Sequence, residues 1–569
     1  MPLRQWIIQS IDRERQDELA RALSISPVTA SLLLGRGVRS TEEAHRWLAG
    51  AAAAPHDPLL LPDMERAVTR LHQAVEGRER ICFYGDYDVD GVTSVSLFLS
   101  YFGGLDANVC SYIPHRIQEG YGLNEPAIRR LRAEGVSLLV TSDCGSTSFK
   151  EIEAARRLGL DIIITDHHQV GDQVPAALAV INPFRRDSRY PFTGLCSAAL
   201  AYKVIEAYRN RWRPHDPSVD GYLDLVALAT IADIVPMVDE NRIFVREGLS
   251  LLSRGARCGL RALKLSAGVT GACSSGSVAF RLAPRINAAG RIGHADLGVQ
   301  LLTTESELEA KRLADQLDSL NKERQALEER ATQEAVEMVT AFGGGGDGAL
   351  VVWSKDWHLG VVGIVAARLV ERFNRPAIVA TVVPSGMAKG SVRTVPGLDV
   401  YQALQGCADL LEAYGGHPSA AGVTLEPGRL PALRERFSRV VEAVTGAEKQ
   451  NPVLRVDAEI SLQDVNQQLV RELELFHPFG PGNPEPTLAV KNLTVLASRV
   501  VGEGHLKLTV RHGNSLPFDS IGFRMGSLAD RGLSPRQPVD LAFTPELNRW
   551  NGLERIQLRV RDVRASQAL

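Results

Sequence analysis

Between residues 80 and about 240 the chain alternates short unbroken apolar runs with segments of helical periodicity. The runs are RICFYGD (80–86), ANVCSYIP (107–114), VSLLVTSD (136–143), LDIIITDHH (160–168) and LAVIN (178–182), and KEIEAARRLG (150–159) has the pattern of a crossover helix between two of them. Runs without polar interruption fit strands covered on both faces, so the alternation predicts a parallel sheet flanked by helices. Upstream, residues 1–75 read as helical, and STEEAHRWL (40–48) opens like a capped helix. Residues 305–341 contain neither Gly nor Pro and are rich in Glu, Lys, Arg, Leu and Ala, which predicts one long helix bridging two domains. GGGGDG (343–348) ends it as a hinge or loop, and ALVVWSKD (349–356) opens a second, smaller α/β region. After GPGNPEP (480–486) several strand-like segments follow in quick succession, the signature of a small β-barrel. The expected layout is a helical region over 1–75, a parallel-sheet α/β domain over 76–304, a connecting helix over 305–342, a smaller α/β domain over 349–446 and a barrel domain over 450–569.

Composition narrows this picture. A chain of 569 residues, 44% apolar and 23% charged, is an ordinary globular protein too long for one core. The net charge of −3 gives no overall attraction to a polyanion, so any basic surface is local. Residues 487–569 supply one, with 12 Lys and Arg against 7 Asp and Glu. The first residues lack an apolar signal core, and no run approaches the roughly 18 apolar residues of a membrane span. Seven cysteines without a CxxC argue against a disulfide framework or zinc ribbon, and a reducing cytoplasm is the expected compartment.

The chemistry lies at the ends of the runs. Asp86, Asp88 and Asp90 follow the first, Asp143 the third, and Asp166, His167 and His168 the fourth, while Asp233 interrupts the apolar segment LVALATIADIVPM. In open parallel sheets ligands bind beyond the carboxyl ends of the strands, so these clusters are expected on one rim. Three carboxylates within five residues repel one another unless cations neutralise them. Asp oxygens with one or two imidazoles suit Mn²⁺, or Mg²⁺, better than zinc. Two such ions can hold a phosphodiester, activate water and stabilise the leaving oxygen. A calcium loop is excluded because Leu97 stands where its bidentate Glu belongs. Cys144 reads as a packing residue.

In combination, DYDVDG, SDCG, TDHH and ATIADIVPM resemble the four motifs of the DHH phosphoesterases, and YGGHPSAAG (414–422) resembles the signature of their DHHA1 domain. RLAPRINAAGRIGHAD (281–296), WHLGVVGIVAARL (357–369) and FHPFGPGNPEP (476–486) are similar to the branch of bacterial 5′→3′ exonucleases specific for single-stranded DNA. One departure is Cys144, where many relatives have Asn after the Asp. The resemblance implies that Asp88, with Asp86 close by, holds one divalent cation, that Asp90, His167 and Asp233 hold the other, that Asp143 bridges both, and that His168 orients its neighbour or contacts phosphate. It also implies a pocket for the terminal 5′ phosphate from Arg116, Arg285, Arg291, Ser391, Arg393, Gly415, Gly416 and His417, and an OB-fold barrel that tracks single strands. Lys491, Arg499, Lys507, Arg511 and Arg524 are the barrel's expected DNA contacts; His505, Phe518, Phe523 and Trp550 offer stacking, although core packing is the simpler expectation for each aromatic. The implied setting is DNA repair and recombination by a monomer, with a single-strand-binding protein and a helicase as partners. Two other readings stay open: a DHH phosphodiesterase for short oligonucleotides or cyclic dinucleotides, and a non-catalytic replication scaffold.

Overall fold

The computed structural model describes residues 4–49, 55–341, 348–445, 453–502, 504–529, 538–550 and 553–566. The expected Gly-rich hinge at 343–348 lies, but for Gly348, outside them, as does the side chain of Trp550. The chain forms two compact units, one of Asp57–Asp233 with Glu247–Gln450, the other of Met1–His56, Ile234–Arg246 and Asn451–Leu569.

The first unit is built on a five-stranded parallel sheet of β1 (Arg80–Gly85), β2 (Val109–Tyr112), β3 (Val136–Ser142), β4 (Asp161–Thr165) and β5 (Ala179–Ile181), in the order β2-β1-β3-β4-β5. Ile81 to Tyr84 and Leu138 to Val140 are fully buried, as the unbroken apolar runs require. Helix α1 (Val89–Gly103) leaves the end of β1, while α2 (Ser197–Trp212) and α3 (Leu223–Ala232) pack beside it. Further along come α4 (Ala283–Ile292) and the 35-residue α5 (Glu307–Ala341). A second sheet of β6 (Leu350–Trp353), β7 (Ala377–Val382), β8 (Ala388–Arg393), β9 (Ala413–His417) and β10 (Ala420–Leu425) follows, with order β9-β10-β8-β7-β6. Helix α6 (Leu359–Phe373) lies on that sheet and on α5.

In the second unit the strands Leu488–Val501, His505–Arg511, Phe518–Gly522, Pro538–Trp550 and Leu553–Ala565 close into a barrel, because the first also pairs with the fourth. The N-terminal region is not purely helical. Gln5–Ile8 forms a strand parallel to Val453–Val456. Its helices do not build a core of their own either: Leu19, Leu32 and Leu33 share one hydrophobic cluster with barrel residues such as Leu506, Leu541 and Phe543. Arg242, from the inserted segment, lies over the Trp47 ring at 4.0 Å and donates to the carbonyls of Trp47 and Leu475.

Candidate metal centre and phosphate pocket

The rim beyond β1, β3 and β4 gathers the acidic residues. Asp88 caps α1, its Oδ1 accepting the N–H groups of Asp90 (2.9 Å) and Gly91 (3.2 Å). Gly91 is needed here because a Cβ would lie 2.4 Å from the backbone of Asp86. Asp90 is fully enclosed; its two oxygens accept the N–H groups of Ser197 (2.7 Å) and Ala198 (2.8 Å) at the start of α2. Asp143 adopts the left-handed conformation (φ 65°), which places its carboxylate 3.1 Å from His167 Nε2. Asp233, at the C-terminal end of α3, reaches within 3.6 Å of the same nitrogen, as does Asp90. Three sets of ligand atoms, each within 4.8 Å of one another, result: Asp86, Asp88 and Asp143; Asp90, His167 and Asp233; and Asp143, His167 and His168. Asp143 therefore shares a set with both groups of residues that the resemblance divides between two cations. Cys144 is buried beneath the first sheet, away from any ligand role.

The electrostatics of the bare protein call for cations. Burial, reinforced by the charge on Asp88, pushes the carboxyls of Asp86 and Asp143 well above the usual range and that of Asp90 to about 7. Burial and the charges of Asp90 and Asp88 push Asp233 to about 9. Oδ1 of Asp86 is buried with no hydrogen-bond partner. Buried carboxylates that converge, repel and leave an oxygen unpartnered fit hard divalent cations, which prefer oxygen ligands. Burial, with the charge of His168, lowers His167 to about 4, so its imidazole is neutral and ready to ligate. Because the Asp233 carboxyl, at about 9, carries a proton that a cation must displace, Mn²⁺ affinity should rise about tenfold per pH unit between pH 6 and 8. Calorimetry in buffers of different ionisation enthalpy checks this through the protons released; a pH-independent affinity contradicts it.

Asp166 was singled out in the sequence only as part of the triplet, yet it organises the rim. Its oxygens accept from Ser146 N (3.0 Å), His167 N (2.8 Å), His168 N (3.2 Å) and His168 Nδ1 (2.8 Å). Burial opposes its ionisation, but the hydrogen bond and charge of His168 outweigh it and hold the carboxyl at about 2. Conversely, burial disfavours the His168 cation, but Asp166 raises it to about 9, so His168 is an imidazolium at neutral pH. Tyr121, also missed, donates its hydroxyl to the Asp143 carbonyl at 2.8 Å. Nothing in its local sequence marks that role.

The arginines divide. Arg116 lies over the Tyr87 ring at 4.6 Å, and its charge is felt by Asp86, Arg291 and Arg393. Burial, then the charge of Arg116, lowers Arg291 to about 10 and shifts Arg393 in the same direction. Among the described residues none of the three has an ion-pair partner, so they form a basic cluster suited to an anion, with Arg291 and Arg393 desolvated. The Ser391 hydroxyl and Arg393 guanidinium both lie against Gly363 in α6. His417 stacks on His168 with ring centroids 6.0 Å apart, at the end of β9, which also carries Gly415 and Gly416. Arg285 does not join this cluster. It pairs with Asp318 of α5 at 2.8 Å. The reason is helical geometry: six residues turn Arg285 about 240° around α4 from Arg291.

On the barrel, Arg499 and Lys507 face each other across adjacent strands. Lys491 is engaged with Glu459 at 2.8 Å and Lys507 approaches Asp519 at 3.7 Å. Arg511 has a buried Nε without a partner, and the Arg524 N–H donates to His505. Phe518 packs on the barrel core, whereas Phe523 is 55% exposed, its ring 5.3 Å from that of His505.

A parallel sheet with this acidic rim, joined through a long helix to a second sheet carrying the Gly-Gly-His strand, defines a DHH-type phosphoesterase. Family models agree: the DHH family N-terminal domain matches residues 80–230, the DHHA1 domain 346–443 and the RecJ OB domain 456–562. The chain is 40% identical to the single-stranded-DNA-specific exonuclease RecJ of Bacillus subtilis, over 99% of this chain and 71% of that one. It is 33% identical to RecJ of Dickeya dadantii, over 97% and 99% of the two chains. The crystal structure of Thermus thermophilus RecJ in complex with Mn²⁺ superposes with a TM-score of 0.84 at 30% identity, covering 99% of this chain and 80% of that one. The same protein in complex with Mg²⁺ gives 0.78 at 29% identity, over 99% and 79% of the chains. The chain belongs to the RecJ family.

Proposed function

We propose that the protein is a 5′→3′ exonuclease that hydrolyses single-stranded DNA to 5′-mononucleotides with the help of two divalent cations, Mn²⁺ by preference or Mg²⁺. The observation that carries this reading is the juxtaposition, within one unit, of the converging carboxylates and the unpaired cluster of Arg116, Arg291 and Arg393. The relatives named as single-stranded-DNA-specific exonucleases support the substrate. Asp86, Asp88 and Asp143 would hold one cation, and Asp143, Asp90, His167 and Asp233 the other. Bound there, the cations supply charge neutralisation for the phosphodiester and an acidified water at neutral pH. The arginines, Ser391 and His417 hold the terminal phosphate, which fixes which bond lies over the carboxylates and so sets the polarity. The His168 imidazolium balances charge on the scissile phosphate. The barrel, taken by itself, has a basic face at Arg499 and Lys507 and an exposed ring at Phe523, features suited to binding single strands.

We place the work in DNA repair and recombination, in the cytoplasm, by a monomer that receives single strands from a helicase and a single-strand-binding protein; the family resemblance supports this setting. No helix among the described residues is long and apolar enough to cross a membrane.

The test is a product time course with Mn²⁺ on matched single- and double-stranded DNA labelled at either end. Labelled mononucleotide should appear at once from the 5′ end of single strands alone. Turnover of only di- to pentanucleotides would replace this reading with that of a short-oligonucleotide phosphodiesterase, and binding without turnover with that of a scaffold.

A further inference from the structure

Helix α4, formed by the segment RLAPRINAAGRIGHAD, lies directly against the turn that carries Asp88 and Asp90. A Cβ on Gly290 would stand 2.2 Å from the Tyr87 carbonyl oxygen, so the helix backbone reaches the turn with nothing between. Asn287 Oδ1 accepts the N–H of Val89 at 3.1 Å. The donors at the start of α1 can be counted. Asp90 and Gly91 give theirs to Asp88 Oδ1, and Val92 gives its own to the Asp88 carbonyl at 2.9 Å. The Val89 N–H is the one donor of this turn satisfied from outside it. Without Asn287 this buried N–H loses its acceptor, a cost the turn can relieve only by shifting, and a shift of the turn moves Asp88 and Asp90 with it. The residue after Gly290 is Arg291, whose guanidinium belongs to the basic cluster and donates to the Gly360 carbonyl at 3.2 Å.

We infer that Asn287 is a positioning residue: it holds the Asp88–Asp90 turn in ligating form and, through the rigid α4, fixes that turn relative to Arg291. This rests on the two-cation reading above and adds a residue outside the acidic motifs to it. Asn287 is half-buried and its removal leaves no large cavity, so Asn287→Ala should fold.

The test is titration of the full chain with Mn²⁺, without DNA, followed by calorimetry. Asn287→Ala should bind Mn²⁺ about tenfold more weakly, the loss expected for one well-placed hydrogen bond. Asn287→Asp, which keeps the acceptor oxygen, should recover most of that loss. In turnover assays the Mn²⁺ concentration for half-maximal rate should rise in parallel, with kcat restored at high Mn²⁺ and KM for DNA unchanged. An Asn287→Ala variant that melts earlier than the parent but binds Mn²⁺ equally well would overturn the inference, since support of the fold alone predicts that result. Failure of the parent itself to bind Mn²⁺ would instead overturn the two-cation reading, so the two failures are distinguishable.

Discussion

Asp143→Asn should abolish hydrolysis and leave single-strand binding in place. Asparagine is the suitable replacement because the residue sits at φ 65°, which Asn tolerates and Ala does not. The substitution removes the carboxylate shared by two of the three ligand sets while keeping its shape. Divalent cations contribute several kcal/mol of transition-state stabilisation, so disabling both positions costs about a thousandfold or more in rate. The arginine cluster and the barrel are untouched, so affinity for single strands persists. A second consequence runs the other way. The Asp143 carboxyl is held well above its unfolded value, chiefly by burial and then by Asp88. A carboxyl raised in the folded state favours folding while protonated and opposes it increasingly as pH climbs from about 4 towards the folded value. At pH 7.5 without metal, the Asn variant should therefore melt a few degrees above the parent. With Mn²⁺ the order should reverse. A variant that hydrolyses at the parental rate would remove Asp143 from the centre, and an unchanged metal-free melting point would refute the stored repulsion.

The acidic rim was legible because two local signals coincide. Unbroken runs such as ICFY and SLLV mark strands covered on both faces, and Asp86 and Asp143 stand just beyond such runs. Strand direction then forces them to one rim. What escaped is carried by contacts distant in sequence. Asn287 meets Val89 across 198 positions, and no spacing in either segment reports it. The four-residue strand Gln5–Ile8 is too short for a periodic signal, and its partner lies near residue 455. The helices after it were readable one by one, but their shared core with the barrel was not, since an amphipathic helix shows that a face is buried and not against what. Arg285 and Arg291 looked equivalent as residues of one motif, yet the turn of α4 sends the first to Asp318. Asp166 looked like one more carboxylate among ligands; only the geometry shows that its oxygens are already taken by four donors.

That saturation sets Asp166 apart from every other acid on the rim, and Asp166→Asn should behave oppositely to Asp143→Asn. An amide oxygen can replace Oδ1 towards His167 and His168, but the amide nitrogen then faces the Ser146 N–H, donor against donor. The charge that holds His168 at about 9 also disappears, so this imidazole loses its proton near neutral pH. Removing one partner of a buried charge pair costs about 3–5 kcal/mol, a large part of the stability of a typical domain. The sign follows from the carboxyl's position at about 2, below its unfolded value. Its contribution is complete above about pH 4 and fades as pH falls towards 2, so parent and variant should differ in denaturant midpoint at pH 7 and converge in acid. Because this carboxylate holds the backbone of His167 and the ring of His168, the rate should fall about 10- to 100-fold even where the variant is fully folded. Denaturant melts across pH, paired with rates at saturating Mn²⁺, measure both effects. An Asp166→Asn variant of parental stability but without activity would move Asp166 into the proposed ligand set beside Asp143, and its separate role as a support held by four donors would not stand.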